Sequence, residues 1–344
     1  MTPSGKAEDR FIQRYFGPLA NNSEALGLHD DAAQIAVPDG KSLVVSTDTL
    51  VAGIHFFHND PPASLARKAL RVNVSDLVAK GSTPKGYFLS LALPEAQLRS
   101  QDWMSDFAVA LGQDQKALGL QIMGGDTVMT KDVSAITICA FGWVPQGQMV
   151  KRSGAGVGDL LYVTGTIGDS AIGLWARRAN LFGLDELTGF EQQLLACLTE
   201  QERTQLELSY LEPPTNLPAA DIVLNFASSS MDISDGLSGD AATLSGASNV
   251  GMEINMADIP HHAILAPHLE NEGVRARLIT GGDDYQILCT VTSVRSKDFE
   301  IEMAKAKVAV TCIGKIVEQT GVRFLDGQQQ ELSVGANGFD HFSD

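Results

Sequence analysis

The residues of this sequence best suited to chemistry are carboxylates and hydroxyls that recur in short clusters. Val45-Ser46-Thr47-Asp48 delivers two hydroxyls and a carboxylate in succession, and Gly53 then permits a turn that brings His55 between Ile54 and Phe56. Related clusters stand at Asp30-Asp31, Asn73-Val74-Ser75-Asp76, Gly124-Gly125-Asp126 and Asp232-Ile233-Ser234-Asp235-Gly236. Side-chain oxygens on a rigid element are the donors a hard cation such as Mg2+ requires. If Asp31, Asp48, Asp76, Asp126, Asp232 and Asp235 converge, they repel one another. Two like charges ~4 Å apart cost about 4 kcal/mol at an effective dielectric of roughly 20, and divalent cations relieve that repulsion. Mg2+ takes one or two carboxylates and completes its shell with water and substrate phosphate. The pattern therefore suits phosphate groups held through metal, in a phosphoryl transfer that asks mainly for positioning and charge neutralisation. Read from spacing alone, the same residues serve equally as helix caps and turn formers on solvated loops, and His55 as a core histidine.

Other signatures of catalysis are absent. Gly40-Lys41-Ser42 lacks the earlier glycine of a phosphate-binding P-loop, and no GxSxG elbow or HExxH pair occurs. Gly154-Ala155-Gly156-Val157-Gly158 resembles a dinucleotide loop, yet it precedes a strand pattern instead of following one.

The elements that must position these groups alternate between strand and helix. Glu8–Phe16 has amphipathic helical spacing, Ala33–Val37 reads as a strand, and Leu43–Ser46 reads as a short buried strand with Asp48 at its end. Prolines after Asp60 open a helix carrying Leu65, Ala69, Val72, Leu77 and Val78. On it, Asn73 and Asp76 share a face at i and i+3. A strand at Tyr87–Leu93 and a helix from a Ser100 cap to Leu118, closed by Gly119, follow. Strands at Leu120–Met123 and Ala135–Val144 complete the first half. The composition shift at Lys151–Gly158 places a domain boundary between residues 1–149 and 150–344. Beyond it, strands at Leu160–Thr164, Met252–Asn255, Tyr285–Val291 and Val308–Ile316 mix with helices, one following Gly236 to Ser248. The fold class is a mixed α/β chain of two domains.

The length of 344 residues agrees with two cores, and 44% apolar content with a globular chain. A formal net charge of −17 disfavours nucleic acid or an anionic membrane surface as partner. No apolar signal core or membrane-spanning run occurs. The four cysteines are scattered, as buried free thiols in a reducing cytosol would be, so a cytoplasmic location is expected.

Taken in order, Asp30-Asp31, Ser46-Thr47-Asp48, Asn73–Asp76, Gly124-Gly125-Asp126, Arg152-Ser153-Gly154, Asp232–Gly236 and Gly281-Gly282-Asp283-Asp284-Tyr285 resemble the thiamine-monophosphate kinase family, of the aminoimidazole-ribotide-synthetase-like superfamily. The resemblance runs from about Phe11 to Phe342. It implies an N-terminal domain that pairs with its twin in a homodimer, a C-terminal α/β domain, and ATP-dependent phosphorylation of thiamine monophosphate to thiamine pyrophosphate with Mg2+. By motif position, Asp31, Ser46, Thr47, Asp48, Asp76, Asp126, Asp232 and Asp235 would hold Mg2+. Gly125, Asp126, Arg152 and Ser234 would meet ATP, and His55, Asp283 and Ala336 would stand at the thiamine monophosphate. Asp76, Asp126 and Asp235 would serve catalysis by positioning metal, with no covalent nucleophile. Three departures stand out: His29 where the family usually has glycine, Asp283 where it commonly has glutamate, and Ala336 where tryptophan is frequent. Other readings are another ATP-using enzyme of the superfamily and a non-catalytic nucleotide- or metal-binding protein. A selenophosphate synthetase would need an N-terminal reactive cysteine, and the first here is Cys139; a hydrogenase-maturation dehydratase would need a C-terminal one, and this chain ends His341-Phe342-Ser343-Asp344.

Overall fold

Period-two alternation organises the first half of the chain. The computed structural model describes residues 7–332. In order come α1 (Ala7–Tyr15), β1 (Lys41–Val51), α2 (Pro62–Ala79), β2 (Thr83–Pro94), α3 (Glu95–Arg99), α4 (Gln101–Leu118), β3 (Gln121–Thr130) and β4 (Ala135–Pro145). The strands form one sheet in the order β1-β4-β2-β3, with β2 and β3 parallel and the other pairs antiparallel. Side chains directly opposite in register share a face. Tyr87, Leu89 and Leu91 therefore stand with Ala140, Ile138 and Ile136 on one face, and all six are buried. Leu65, Ala69, Leu70 and Leu77 of α2 and Met104, Phe107 and Leu111 of α4 are buried as well. Ser100 caps α4 by accepting the Trp103 N–H at 3.2 Å, and Gly119 ends it at φ 68°.

Two expectations for this half need correction. No strand forms at Ala33–Val37, because Glu24 takes up its donors: the Gln34 N–H bonds to the Glu24 carbonyl and the Ala36 N–H to its Oε1. The short strand ending near Ser46 is instead eleven residues long, since β4 pairs with it from Lys41 to Val51. Asp48 thus lies inside a strand and not at its end.

The second half continues with β5 (Leu160–Thr164), α5 (Asp169–Phe182), α6 (Gly189–Ala196), α7 (Glu200–Leu211), α8 (Ala220–Phe226), β6 (Ala227–Ile233), α9 (Leu237–Ser248), β7 (Gly251–Asn255), α10 (Glu272–Thr280), β8 (Gln286–Val291), α11 (Ser296–Lys305), β9 (Val310–Val317), β10 (Gly321–Leu325) and β11 (Glu331–Leu332). The sheet order among the described residues is β11-β10-β7-β9-β5-β8-β6. Its core gathers Leu161, Val163, Met231, Ile233, Leu244, Ile254, Leu288 and Ile313, and a second cluster packs Trp175, Leu195, Leu206 and Leu278. Thr188 with Glu191 and Thr199 with Glu202 form capping boxes that start α6 and α7.

The chain divides into one unit of residues up to Leu77 with Ser82–Gln148, and another of Val78–Gly81 with Met149 onward. The four cysteines are free thiols, but Cys197 is exposed while Cys289 is buried. Among the described residues, no helix is long and apolar enough to cross a membrane.

Candidate active site

In the first unit, strand β1 and helix α2 bring three predicted oxygens together. Ser46 and Asp48 are two residues apart on β1, so both face the side on which Ile138 and Leu89 are buried. Ser46 Oγ donates to Asp76 Oδ2. One turn earlier on α2, Asn73 Oδ1 accepts the Asp48 backbone N–H at 3.1 Å, while Asn73 Nδ2 donates to the Ala69 carbonyl at 3.0 Å. The shared face of Asn73 and Asp76 is thus turned to β1. Burial, then the charge of Asp76 and a hydrogen bond with it, push the Asp48 carboxyl up to about 6. Thr47 projects to the opposite face, because successive strand residues alternate.

Asp126 lies on the face that carries Thr47: the register runs from Asp126 through Ser90 and Thr137 to Thr49. There Asp30, Asp31, Gly125 and Asp126 line a cavity of about 440 Å3 whose other walls include Ile12, Phe16, Leu28 and Phe88. Gly125 is required by close strand approach, since a Cβ there would lie 1.9 Å from the Leu89 carbonyl oxygen. Asp30 Oδ1 accepts the Asp31 N–H at 2.8 Å. His29, at φ −108°, occupies an ordinary right-handed conformation, so its replacement of glycine imposes no left-handed strain. His55 sits in the turn after β1, its Nδ1 accepting the Val51 N–H at 3.0 Å.

In the second unit, the remaining predicted residues surround the β6–α9 connection. Asp232 is buried at the end of β6. The Ser234 carbonyl accepts the Asp283 N–H at 2.8 Å, and the Asp235 N–H donates to Asp240 Oδ2 at 3.0 Å. Gly282 permits this approach, because a Cβ there would stand 2.3 Å from the Ser234 oxygen. Asp283 takes a left-handed φ of 70° and accepts from Tyr285 Oη at 3.2 Å. Burial and the charge of Asp235 push Asp240 up to about 7, opposed by the backbone N–H groups of Asp235 and Ser234 and by the positive charge of Arg152. The Arg152 carbonyl accepts from Ser248 Oγ at 3.0 Å. Ala336 lies outside the described residues.

Among the described residues, no three His, Cys, Asp or Glu side chains are arranged as a ready metal cage. The donors nonetheless fit a hard divalent cation. They are oxygens only, and burial, with the charge of Asp76 beside it, holds the Asp48 carboxyl above its usual range. A cation shared with water and phosphate does not need three protein carboxylates.

The sequence matches the family profiles of the AIR synthase related protein, N-terminal domain over residues 29–144 and C-terminal domain over residues 156–326. Thiamine-monophosphate kinase of Escherichia coli (strain K12) is 34% identical over 340 residues, covering 98% of each chain. The chain belongs to the thiamine-monophosphate kinase family. Within that family, the solved kinase from Stenotrophomonas maltophilia K279a superposes with a TM-score of 0.77 at 30% identity, over 92% of this chain and 94% of that one. The structure of AaThiL complexed with AMPPCP and TMP superposes at 0.73 and 29% identity, over 91% of each chain.

The sequence reading missed Asp240 and gave Asn73 only a place on a helix face. Asp240 follows Asp235 by five residues in the first turn of α9, and only the folded loop brings the Asp235 N–H to it. Asn73 was placed on the face of Asp76 by its spacing, but its grip on the Asp48 backbone depends on a strand 25 residues away.

Proposed function

We infer that this enzyme transfers the γ-phosphate of ATP to thiamine monophosphate, forming thiamine pyrophosphate and ADP. The observation that carries the reading is the Asp48–Asp76 pair with Ser46, an oxygen cluster poised for a cation inside the fold of this kinase family. A family relative binding AMPPCP, an ATP analogue, together with TMP supports both substrates. An oxygen of the acceptor phosphate attacks the γ-phosphorus in line; the new O–P bond forms as the bond to the bridging oxygen breaks, its electron pair leaving with ADP. That oxygen is already anionic near neutral pH, so no strong base is needed.

In the first unit, Ser46, Asp48 and Asp76 on one face of the sheet and Asp31, Thr47 and Asp126 on the other would hold Mg2+, as would Asp232 and Asp235 in the second unit; bound Mg2+ would neutralise the phosphate charges. Gly125, Arg152 and Ser234 orient ATP, for which the first-unit cavity offers an apolar wall beside its carboxylates. His55 and Asp283 orient thiamine monophosphate, in an enzyme that works in the cytoplasm. ATP consumption by the purified protein with and without thiamine monophosphate tests the reading. Turnover to thiamine pyrophosphate only when both substrates are present is expected; ATP hydrolysis indifferent to thiamine monophosphate would overturn it.

The open face of the first sheet supports a homodimer. Leu43 and Val45 on edge strand β1 are 48% and 53% exposed; opposite them in register, Trp143 is half-buried and Phe141 is buried. An apolar pair of this kind, on a strand whose outer edge is unpaired among the described residues, is stable in water when a second copy covers it. A Val45→Lys variant is expected to shift the mass measured by light scattering towards monomer; an unchanged mass would place the interface elsewhere.

A further inference from the structure

The turn between β1 and α2 is fastened by a group that neither the metal donors nor the nucleotide contacts use. Lys68, in the second turn of α2, is 2% exposed, and its Nζ donates to the His55 carbonyl at 3.3 Å. An ammonium taken out of water is stable only where fixed oxygens replace its hydration. Packing alone does not call for it, since Leu65, Ala69 and Leu70 around it in sequence are buried as plain hydrocarbon. The turn is also closed by Gly53 N–H donating to the Phe56 carbonyl at 2.8 Å, and by Phe57 N–H donating to the buried Asp60 at 2.9 Å.

The ring of His55 is set by the opposite side of the same turn. Val51 and His55 exchange two hydrogen bonds: Val51 N–H to His55 Nδ1 at 3.0 Å, and His55 N–H to the Val51 carbonyl at 2.9 Å. A backbone N–H can only donate, so Nδ1 is the unprotonated acceptor and a neutral ring carries its proton on Nε2. The turn thus fixes one tautomer, whose Nε2–H matches an acceptor such as a phosphate oxygen.

We propose that Lys68 is a positioning residue: its buried ammonium holds the His55 carbonyl so that the ring keeps its bond to Val51 and offers Nε2–H to the phosphate of the acceptor substrate. This rests on the reading that His55 meets thiamine monophosphate. The test uses Lys68→Met, Lys68→Arg and His55→Ala in the full-length enzyme, each qualified by its melting curve. Lys68→Met is expected to raise KM for thiamine monophosphate about tenfold, the effect of one lost hydrogen bond to a charged group, while KM for ATP stays constant. Lys68→Arg should recover most of the loss. In the His55→Ala background, Lys68→Met should add less than about twofold, because coupled residues are not additive. Nitrogen-15 spectra of histidine-labelled protein without substrate should show His55 protonated on Nε2 in wild type and mixed between tautomers in Lys68→Met. An unchanged His55 signal in folded Lys68→Met, or fully additive effects on KM, would overturn the proposal. If His55→Ala leaves KM for thiamine monophosphate unmoved, the substrate contact fails, and the spectra alone then decide whether Lys68 positions the ring. Should Lys68→Met not fold, Lys68→Gln, whose amide falls one bond short of the carbonyl, is read in its place with the same criteria.

Discussion

Asp48 in the first unit and Asp240 in the second are both raised, and differently. In the first, Asp48 faces Asp76 across the gap between a strand and a helix, which is bridged by Ser46 to Asp76 and by Asn73 to the Asp48 backbone. In the second, Asp240 sits in the first turn of α9 and accepts backbone N–H groups of Asp235 and Ser234. The first carboxyl is raised by burial and then by the neighbouring Asp76 charge, an arrangement that a cation would relieve. The second carboxylate organises a loop, and its charge is partly met by backbone dipoles. Similar perturbations therefore mark a site in one place and a scaffold in the other.

The largest test of this contrast is Asp76→Asn. Groups that only orient metal ligands already cost roughly 10–100-fold when changed, so losing a ligand should lower kcat by at least about 100-fold. Because like-charge repulsion is relieved, the melting temperature should stay level or rise; near-normal turnover would make Asp76 a capping residue. Chelation should act likewise, with EDTA abolishing turnover, Mg2+ restoring it, and Mg2+ with ATP at about 100 times Kd adding roughly 2.7 kcal/mol to stability. Full activity in chelated enzyme would remove metal from the account.

Asp240→Ala should behave in the opposite sense. It removes the acceptor of the Asp235 and Ser234 N–H groups, so melting drops first and the β6–α9 loop loosens with it. A variant as stable as wild type would show that the loop does not depend on this carboxylate.

Titration sharpens the comparison further. Asp48 lies near 6 in the folded protein against an ordinary 3.8, so the folded state holds the proton more tightly than the unfolded chain. Its contribution to stability is greatest below about pH 4, declines as pH rises through about 6, and is flat above. For Asp240 the decline extends to about 7. In metal-free buffer, Asp48→Asn should raise the unfolding free energy at about pH 7.5 and not at about pH 4, by on the order of 1–3 kcal/mol. Equal effects at both pH values would mean that the pair is not strained. The smallest effect is expected from Asp283→Glu, which restores one methylene of reach; a fall of about threefold in KM for thiamine monophosphate, under 1 kcal/mol, with ATP unaffected, would place that residue at the acceptor. A rise in KM would show that the left-handed backbone at Asp283 already suits the shorter side chain.

Much of the donor inventory was legible in the chain itself. The mixed α/β class, the cap and stop of α4, and the common face of Asn73 and Asp76 all follow from local rules: helical and strand periods, capping oxygens and left-handed glycines act over a few residues. The family motifs named Asp31, Ser46, Thr47, Asp48, Asp76, Asp126, Asp232 and Asp235 as one set, of which Ser46, Asp48 and Asp76 share a face. Tertiary structure decided the rest. β1 runs to Val51 only because β4 pairs with it, and that pairing sends Thr47 to the face of Asp126 and Asp48 to the face of Asp76. Ala33–Val37 lost its strand to Glu24, a competitor that periodicity does not register. The raised carboxyls, the tautomer of His55 and the buried ammonium of Lys68 depend on excluded water and on partners brought close by folding. Local sequence sets which oxygens exist; pairing across the sheet and burial set which of them face one another, because those energies belong to contacts and not to residues.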